Sequence, residues 1–242
     1  MKVLCGEKEY YEALKAAYQI FGTGDLLKFW FFEKHPYIHK WLHYFQIYEQ
    51  WFSPYRDKEI VFLEIGVWKG GSLQMWKHYF GKNAKIIGVD IDENCKRLED
   101  DQISIEIGSQ EDKNFWHAFK AKYPRVDILL DDGGHTMNQQ ITTFREMFPH
   151  IKDGGLYMCE DCHTSYFDKD KWLGGGLRRE GTFIEFMKNI IDEINAFWTG
   201  DALPITYNTR NLRGLHFYDS IVVAEKKKIP FDPISFALGE DE

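Results

Sequence analysis

Three acidic side chains and a histidine, held in two short segments, are the residues of this sequence best suited to chemistry. Asp132 lies in DDGGH, which ends at His135, and Glu160 and Asp161 lie in CEDCH. Carboxylates placed side by side repel one another, and a divalent cation removes that penalty. Ligands that are all oxygen select a hard ion, Mg²⁺ or else Mn²⁺ or Ca²⁺. We therefore predict a metal site made by Asp132, Glu160 and Asp161.

The segment CEDCH also has the spacing that attaches c-type haem, and it contains a C-x-x-C pair. The opening MKVLCGEKEYYEALK lacks an apolar run long enough for a signal peptide or a membrane span, which indicates a cytoplasmic protein with reduced cysteines. Covalent haem attachment belongs to exported proteins, and no second Cys or His pair is clearly spaced for zinc. We therefore interpret Cys159 and Cys162 as structural residues, and the two acids between them as the functional part.

A second group of residues lies in LEIGVWKGGS, where a predicted strand leads into a helix. Gly66, Gly70 and Gly71 allow a tight turn and a close approach to a ligand, and the following helix N-terminus favours an anion. Ser72 can cap that helix. The spacing differs from G-x-G-x-x-G, so a dinucleotide fits poorly. Asp90 ends the next predicted strand and suits a ribose diol, which favours a nucleoside ligand without a diphosphate.

Short apolar runs alternate with helical patterns, which predicts a mostly parallel sheet covered by helices. The predicted strands are EIVFLEIG, AKIIGVDID, ISIEIGS, VDILLDDGG and GGLYMCED, and LHFYDSIVVAEK predicts an antiparallel hairpin that turns near Asp219. Aromatic spacing predicts helices at residues 8–20 and 36–52. We expect an α/β, Rossmann-like, doubly wound sheet of seven strands with an N-terminal helical layer.

Ligands of such sheets collect at the carboxyl ends of the strands. The residues named above follow strand ends, and so do Ser109, Gln110 and Asp131, which indicates one cleft. The expected regions are a helical extension at 1–58, a catalytic domain at 59–228 with a loop insertion at 163–182, and a tail at 229–242. That loop is expected to be either a lid, with Arg178 and Arg179 meeting a phosphate, or solvated charge.

The segments LEIGVWKGGS, GVDID, ILLDDGGH and MCEDCHTSY resemble class I S-adenosylmethionine-dependent methyltransferases. More narrowly, they resemble the metal-dependent sugar O-methyltransferases of macrolide and polysaccharide pathways. The resemblance implies methyl transfer to a sugar hydroxyl, with Mg²⁺ or another hard divalent cation at the three acids and His135 as the general base. It also implies a cofactor site for S-adenosylmethionine, formed by Glu64, Gly66, Ser72, Asp90, Ser109, Gln110 and Asp131.

Other functions stay open on the residues alone. His135, Asp132 and His163 could form the two-histidine, one-carboxylate iron site of an oxygenase. A non-catalytic module that binds S-adenosylmethionine would carry the same glycine loop. The acceptor could be a sugar nucleotide, a glycan end or a glycosylated natural product. The net charge of −8 argues against nucleic acid as a partner, no membrane partner is expected, and a homo-oligomer is left open.

Overall fold

Seven strands of the described residues form the sheet of this protein, seen here in a computed structural model. The structure describes residues 7–22, 24–167 and 172–239. The chain divides into two compact units, residues 1–108 and residues 109–242. Three of the strands lie in the first unit and four in the second, so the predicted number of strands is confirmed.

The first unit combines helices with a parallel sheet. Its helices are α1 (Glu7–Phe21), α2 (Asp25–Phe32), α3 (Tyr44–Phe52) and α4 (Gly71–Phe80), and its strands are β1 (Val61–Ile65), β2 (Lys85–Asp90) and β3 (Ile103–Ile107), in the order β3-β2-β1. In the registers, Leu63 pairs with Ile87 and Gly88 with Ile105. These strands are rich in buried Ile, Leu and Val, as parallel strands covered on both faces are.

The N-terminal helices agree with the prediction only in part. Helix α1 confirms the helix predicted at residues 8–20, whereas the helix predicted at 36–52 begins only at Tyr44, and α2 was not predicted. The Glu49 carboxylate accepts a hydrogen bond of 3.1 Å from the amide of Leu26 in the first turn of α2. Such a contact between distant residues stabilises a short helix that has no periodic signal of its own.

The second unit contains a mixed sheet in the order β4-β5-β7-β6. Its strands are β4 (Val126–Asp131), β5 (Ile151–Cys159), β6 (Leu212–Phe217) and β7 (Val222–Lys226), and its helices are α5 (Lys113–Lys122), α6 (Met137–Met147), α7 (Phe183–Ile194) and α8 (Tyr207–Asn211). Strands β4 and β5 are parallel, and β7 runs antiparallel to both β5 and β6. The predicted C-terminal hairpin is therefore confirmed, and Phe217 pairs with Val222 at its turn.

Two further predictions concern segments outside the regular elements. Part of the loop predicted at 163–182 forms a short 3-10 turn, Cys162–Tyr166, and residues 168–171 lie outside the described part of the chain. In the same loop, the Arg179 guanidinium donates to the carbonyl of Gly174 at 2.5 Å. Its lid function stays a prediction. Among the described helices, none has the length and apolar character needed to cross a bilayer.

Candidate active site

Glu64, near the end of β1, is a fully buried carboxylate, and its polar neighbours include Ser72, Trp76 and Lys40. The Ser72 hydroxyl donates to Oε2 at 2.8 Å, the Trp76 indole donates to Oε1 at 3.0 Å, and the buried Lys40 ammonium lies 3.8 Å from Oε1. These partners offset the cost of burying the charge. The prediction that Ser72 caps α4 is wrong, because Gly70 holds the capping position and the Ser72 hydroxyl is used by Glu64.

The glycine loop turns sharply between β1 and α4. Gly66 has φ of 94° and Gly70 has φ of 76°, a region of backbone conformation that favours glycine. Glycine is needed at position 71 for a different reason: a Cβ there would lie 2.5 Å from the carbonyl oxygens of Pro36 and Tyr37. The tight turn is thus confirmed, and the start of α4 packs directly on the segment between α2 and α3.

Asp90 ends β2 and holds the glycine loop in place. Its Oδ2 accepts from the amides of Val67 at 2.8 Å and Trp68 at 3.0 Å, and its Oδ1 accepts from the amide of Asp92 at 2.9 Å. A carboxylate oxygen has two lone pairs, so Oδ1 can still accept from a ligand hydroxyl. Burial raises the pKa of the nearby Cys95 thiol to about 11, which keeps that thiol protonated at neutral pH.

In the second unit, Asp131 at the end of β4 is buried within a hydrogen-bond network. Gln110 donates to Asp131 Oδ1 at 3.0 Å and accepts from the amide of Gly134 at 2.9 Å, while the Tyr157 hydroxyl donates to Asp131 Oδ2 at 3.3 Å. Burial raises the pKa of Asp131 to about 6, and the hydrogen bond from Gln110 opposes that rise. Ser109 is half-buried, and its hydroxyl oxygen accepts from the amide of Glu111 at 3.3 Å.

Asp132, His135 and Asp161 come together where β4 and β5 end. One carboxylate oxygen of each aspartate and a ring nitrogen of His135 all lie within 4.8 Å of one another. His135 Nε2 is 3.5 Å from Asp161 Oδ2 and 3.9 Å from Asp132 Oδ1. Two partly exposed carboxylates that approach one point suit a hard cation, because such a cation prefers oxygen ligands and keeps bound waters. The chemistry of these donors therefore fits the predicted metal.

Glu160, the third predicted ligand, does not belong to that cluster among the described residues. The residue is buried, its amide donates to the carbonyl of Asp131 at 2.9 Å, and its carbonyl accepts from the Gln140 amide group at 3.1 Å. These bonds fix the backbone just before Asp161. The role of Glu160 as a metal ligand stays a prediction.

Two residues of the cluster have an uncommon backbone conformation. His135 has φ of 58° and Asp161 has φ of 52°, both in the left-handed region. Residues other than glycine adopt this region seldom, although Asp and His do so more readily than most. Backbone strain of this kind collects at functional sites, where the surrounding structure holds it in place.

The cysteines of CEDCH are buried and form no disulfide. Burial raises the pKa of Cys159 well above its ordinary value, and the Cys162 thiol donates to the carbonyl of Cys159 at 3.3 Å. These buried positions agree with the interpretation of Cys159 and Cys162 as structural residues. His163 Nδ1 bonds to the Ser220 hydroxyl and lies 3.9 Å from Asp161 Oδ1, but it is not one of the side chains whose donor atoms all approach one another around Asp132. Among the described residues, the group whose donor atoms all approach one another therefore contains one histidine, His135, with two carboxylates.

Sequence reasoning did not find a groove that adjoins this cluster. The groove has a volume of about 570 Å³ and begins at His163 and Ser220. Ile184, Tyr166 and Phe217 give it an apolar lining, and the last two are partly exposed. These residues come from α7, the 3-10 turn and the hairpin, which lie far apart in sequence. No spacing in the sequence indicates that they meet.

Comparison with known proteins identifies the family. Residues 63–162 match the family model described as a methyltransferase domain. The chain carries a class I methyltransferase domain. The chain is 35% identical over 208 residues to demethylmacrocin O-methyltransferase of Streptomyces fradiae. This match covers 77% of the chain and 50% of that protein. It is 34% identical over 204 residues to mycinamicin VI 2''-O-methyltransferase of Micromonospora griseorubida. That match covers 76% of the chain and 48% of the relative.

A solved structure extends the likeness to the fold of the methyltransferase domain. MycE methyltransferase in complex with Mg, SAH and mycinamycin VI matches with a TM-score of 0.73 and 30% identity, over 98% of this chain and 66% of that chain. The resemblance to sugar O-methyltransferases of macrolide biosynthesis and the Rossmann-like fold are thus confirmed. The chain spans about half the length of the curated relatives it matches.

Proposed function

We propose that this chain transfers a methyl group from S-adenosylmethionine to a sugar hydroxyl of a glycosylated small molecule, with Mg²⁺ or another hard divalent cation. One observation carries the proposal: the cluster of Asp132, His135 and Asp161 occurs in a chain that is similar to MycE, whose structure contains Mg, SAH and mycinamycin VI. An oxygenase has no comparable support, because these relatives are O-methyltransferases.

The metal ligands we assign are Asp132, Glu160 and Asp161. The two aspartates already approach one point, and Glu160 precedes Asp161 directly on a backbone that is bonded to β4. When bound there, the cation lowers the pKa of a sugar hydroxyl and orients it. Without a cation, the carboxylates of Asp132 and Asp161 repel each other across a short distance.

His135 is the general base of the proposed reaction. Its Nε2 faces the two aspartates, so a hydroxyl held between them lies within reach of that nitrogen. A neutral imidazole nitrogen can accept the proton of that hydroxyl. The methyl group of a sulfonium is already activated. The chain therefore has to align the reactants and remove the proton.

The cofactor residues keep the assignments that the resemblance implies. In the first unit, Asp90 retains acceptor capacity for ribose hydroxyls, and Gly66 allows close approach to the methionine part. Glu64 and Ser72 hold the turn between β1 and α4 through their own hydrogen bond. In the second unit, we assign to Asp131 the binding of the cofactor amine. Ser109 and Gln110 are assigned to the surroundings of the adenine. The Gln110 side chain also holds Asp131 and Gly134 in place through its hydrogen bonds.

The groove beside His163 favours an uncharged acceptor. Its apolar wall includes Tyr166 and Phe217, which suits the ring faces of a sugar or of an attached ring system. Lys188 also lines the groove, but it pairs with Glu185 at 2.5 Å, and Asp219 adds a negative charge. A diphosphate needs several cationic donors, so a sugar nucleotide fits less well than a neutral glycoside.

A substrate screen tests the proposal. The purified chain is incubated with S-adenosylmethionine, Mg²⁺ and either neutral glycosides or sugar nucleotides, and products are examined by mass spectrometry. We expect the mass of one added methyl group on a glycoside, and we expect EDTA to abolish the reaction. Cofactor binding without turnover on any glycoside would instead indicate a non-catalytic binding module. Copurifying iron with oxygen uptake would favour the oxygenase.

A further inference from the structure

Thr164 is a buried residue whose hydroxyl lies between the two segments that carry the cluster. Its Oγ1 is 2.9 Å from the carbonyl oxygen of His135 and 3.0 Å from that of Asp161. We propose that Thr164 is a positioning residue, which holds the His135 ring and the Asp161 carboxylate at the separation that the metal site requires. This inference rests on the proposed function.

The backbone geometry explains why one hydroxyl can have this effect. His135 and Asp161 are the two left-handed residues of the cluster, and such conformations relax unless the surroundings hold them. The direction of a carbonyl follows the backbone rotation of its own residue. The single proton of the Thr164 hydroxyl is shared between the two carbonyls. This one group therefore restrains both rotations, and with them the origin of each functional side chain.

The segment around Asp161 is already held from two sides. The amide of Glu160 donates to the Asp131 carbonyl at 2.9 Å, before Asp161. After it, the amide of Cys162 donates to the Ser220 carbonyl at 3.0 Å. These bonds hold the residues on either side of Asp161, whereas the carbonyl of Asp161 itself bonds to Thr164, which therefore sets the backbone of this metal ligand as well as that of His135.

The position of His135 depends on the Thr164 hydroxyl more than that of Asp161 does. Its Nδ1 is buried and has no hydrogen-bond partner among the described residues. A histidine at a metal site commonly donates its second ring nitrogen to a carboxylate or carbonyl, which fixes the ring. Here the orientation of the ring comes from its backbone instead. That backbone is bounded by the Gly134 amide, bonded to Gln110 at 2.9 Å, and by Thr136, whose hydroxyl caps α6.

Two substitutions separate the hydroxyl from the packing of Thr164. Thr164→Val keeps the shape and removes the donor, whereas Thr164→Ser keeps the donor and removes a methyl group. Binding of Mn²⁺, measured by electron paramagnetic resonance, reports on the cluster without any turnover. We expect Thr164→Val to weaken Mn²⁺ binding about tenfold, the lower end of what outer contacts contribute at metal sites. Thr164→Ser should restore most of the affinity, and S-adenosylmethionine binding by calorimetry should not change.

A matched control removes a buried hydroxyl elsewhere in the same unit. Thr209 is buried and donates to the carbonyl of Glu193 at 2.8 Å, so Thr209→Val should lower thermal stability and leave Mn²⁺ affinity unchanged. If Thr164→Val does not fold, Thr164→Ala and Thr164→Ser make the same comparison of the hydroxyl.

Each outcome bears on a separate claim. Wild-type affinity in Thr164→Val overturns the positioning role, and so does an equal loss in Thr164→Ser, since the methyl group would then be responsible. If the wild-type chain binds no Mn²⁺ at all, the metal-dependent function fails and this inference fails with it. Metal binding by the wild type that is lost only without the hydroxyl supports the inference.

Discussion

Asp131→Asn should make the protein more stable at pH 8, even though Asp131 is a residue of the proposed cofactor site. The carboxylate is 1% exposed, and its burial raises the pKa from an ordinary 3.8 to about 6. At pH 8 the folded protein therefore keeps a buried charge that the unfolded chain solvates freely. The difference between these pKa values corresponds to about 3 kcal/mol in the free energy of unfolding.

The sign of the effect follows from proton binding. Because the folded pKa is the higher one, the folded state binds more protons between about pH 4 and pH 6, and the wild-type protein loses stability as pH rises through that window. Asparagine carries no charge and keeps an acceptor for Gln110. The Tyr157 hydroxyl can rotate to accept from its amide group. The gain should therefore be largest above pH 6 and vanish below pH 4.

Urea unfolding of the wild type and Asp131→Asn at pH 4, pH 6 and pH 8, in EDTA and without cofactor, measures this difference. Asp127→Asn is the matched control on the same strand. Asp127 is also buried, but it bonds to Arg125 at 2.8 Å, so its replacement should lower stability at pH 8. The reasoning is refuted if Asp131→Asn gives no gain at pH 8, or gives the same gain at pH 4.

Three further predictions concern the site and its support. Asp132→Ala and His135→Ala should each leave S-adenosylmethionine binding intact and lower turnover at least about 100-fold; full activity of Asp132→Ala in the presence of a chelator would exclude the metal role. Replacing Cys159 and Cys162 by alanine should spare methyl transfer, and a loss of turnover at unchanged stability would give the thiols a function. Glu64→Gln should cost about 3 kcal/mol of stability in urea unfolding, because it leaves a buried ammonium without its counter-ion; an unchanged midpoint would contradict the pairing.

Much of the fold could be predicted because its signals are local. Each of the five predicted apolar runs forms a strand, and the hairpin turns near Asp219 as predicted. These features could be predicted because an apolar run and a tight turn are each encoded by a few neighbouring residues. The break between α2 and α3 could not be predicted in this way. It depends on Glu49 reaching the start of α2 and on Gly71 packing against Pro36.

The site shows the same division. DDGGH and CEDCH indicated Asp132, His135 and Asp161, because polar residues at adjacent strand ends meet in space. Ser72 was predicted to cap a helix, but its hydroxyl donates a hydrogen bond to Glu64 instead. This contact depends on the packing of α4 against β1, which the local sequence does not show. Thr164 and Ser220 gave no signal, since their partners lie in other loops.

The burial of Lys40 beside Glu64 bears on how this chain could be recombined with its relatives. Lys40 lies in the predicted helical extension. Its partner Glu64 lies near the end of β1, and Gly71, which packs against Pro36, lies in the glycine loop that follows. A chimaera joined at residue 59 would separate a counter-ion from its charge and a close-packed backbone from its partner. A chimaera with a relative should therefore keep residues 36–80 from a single parent.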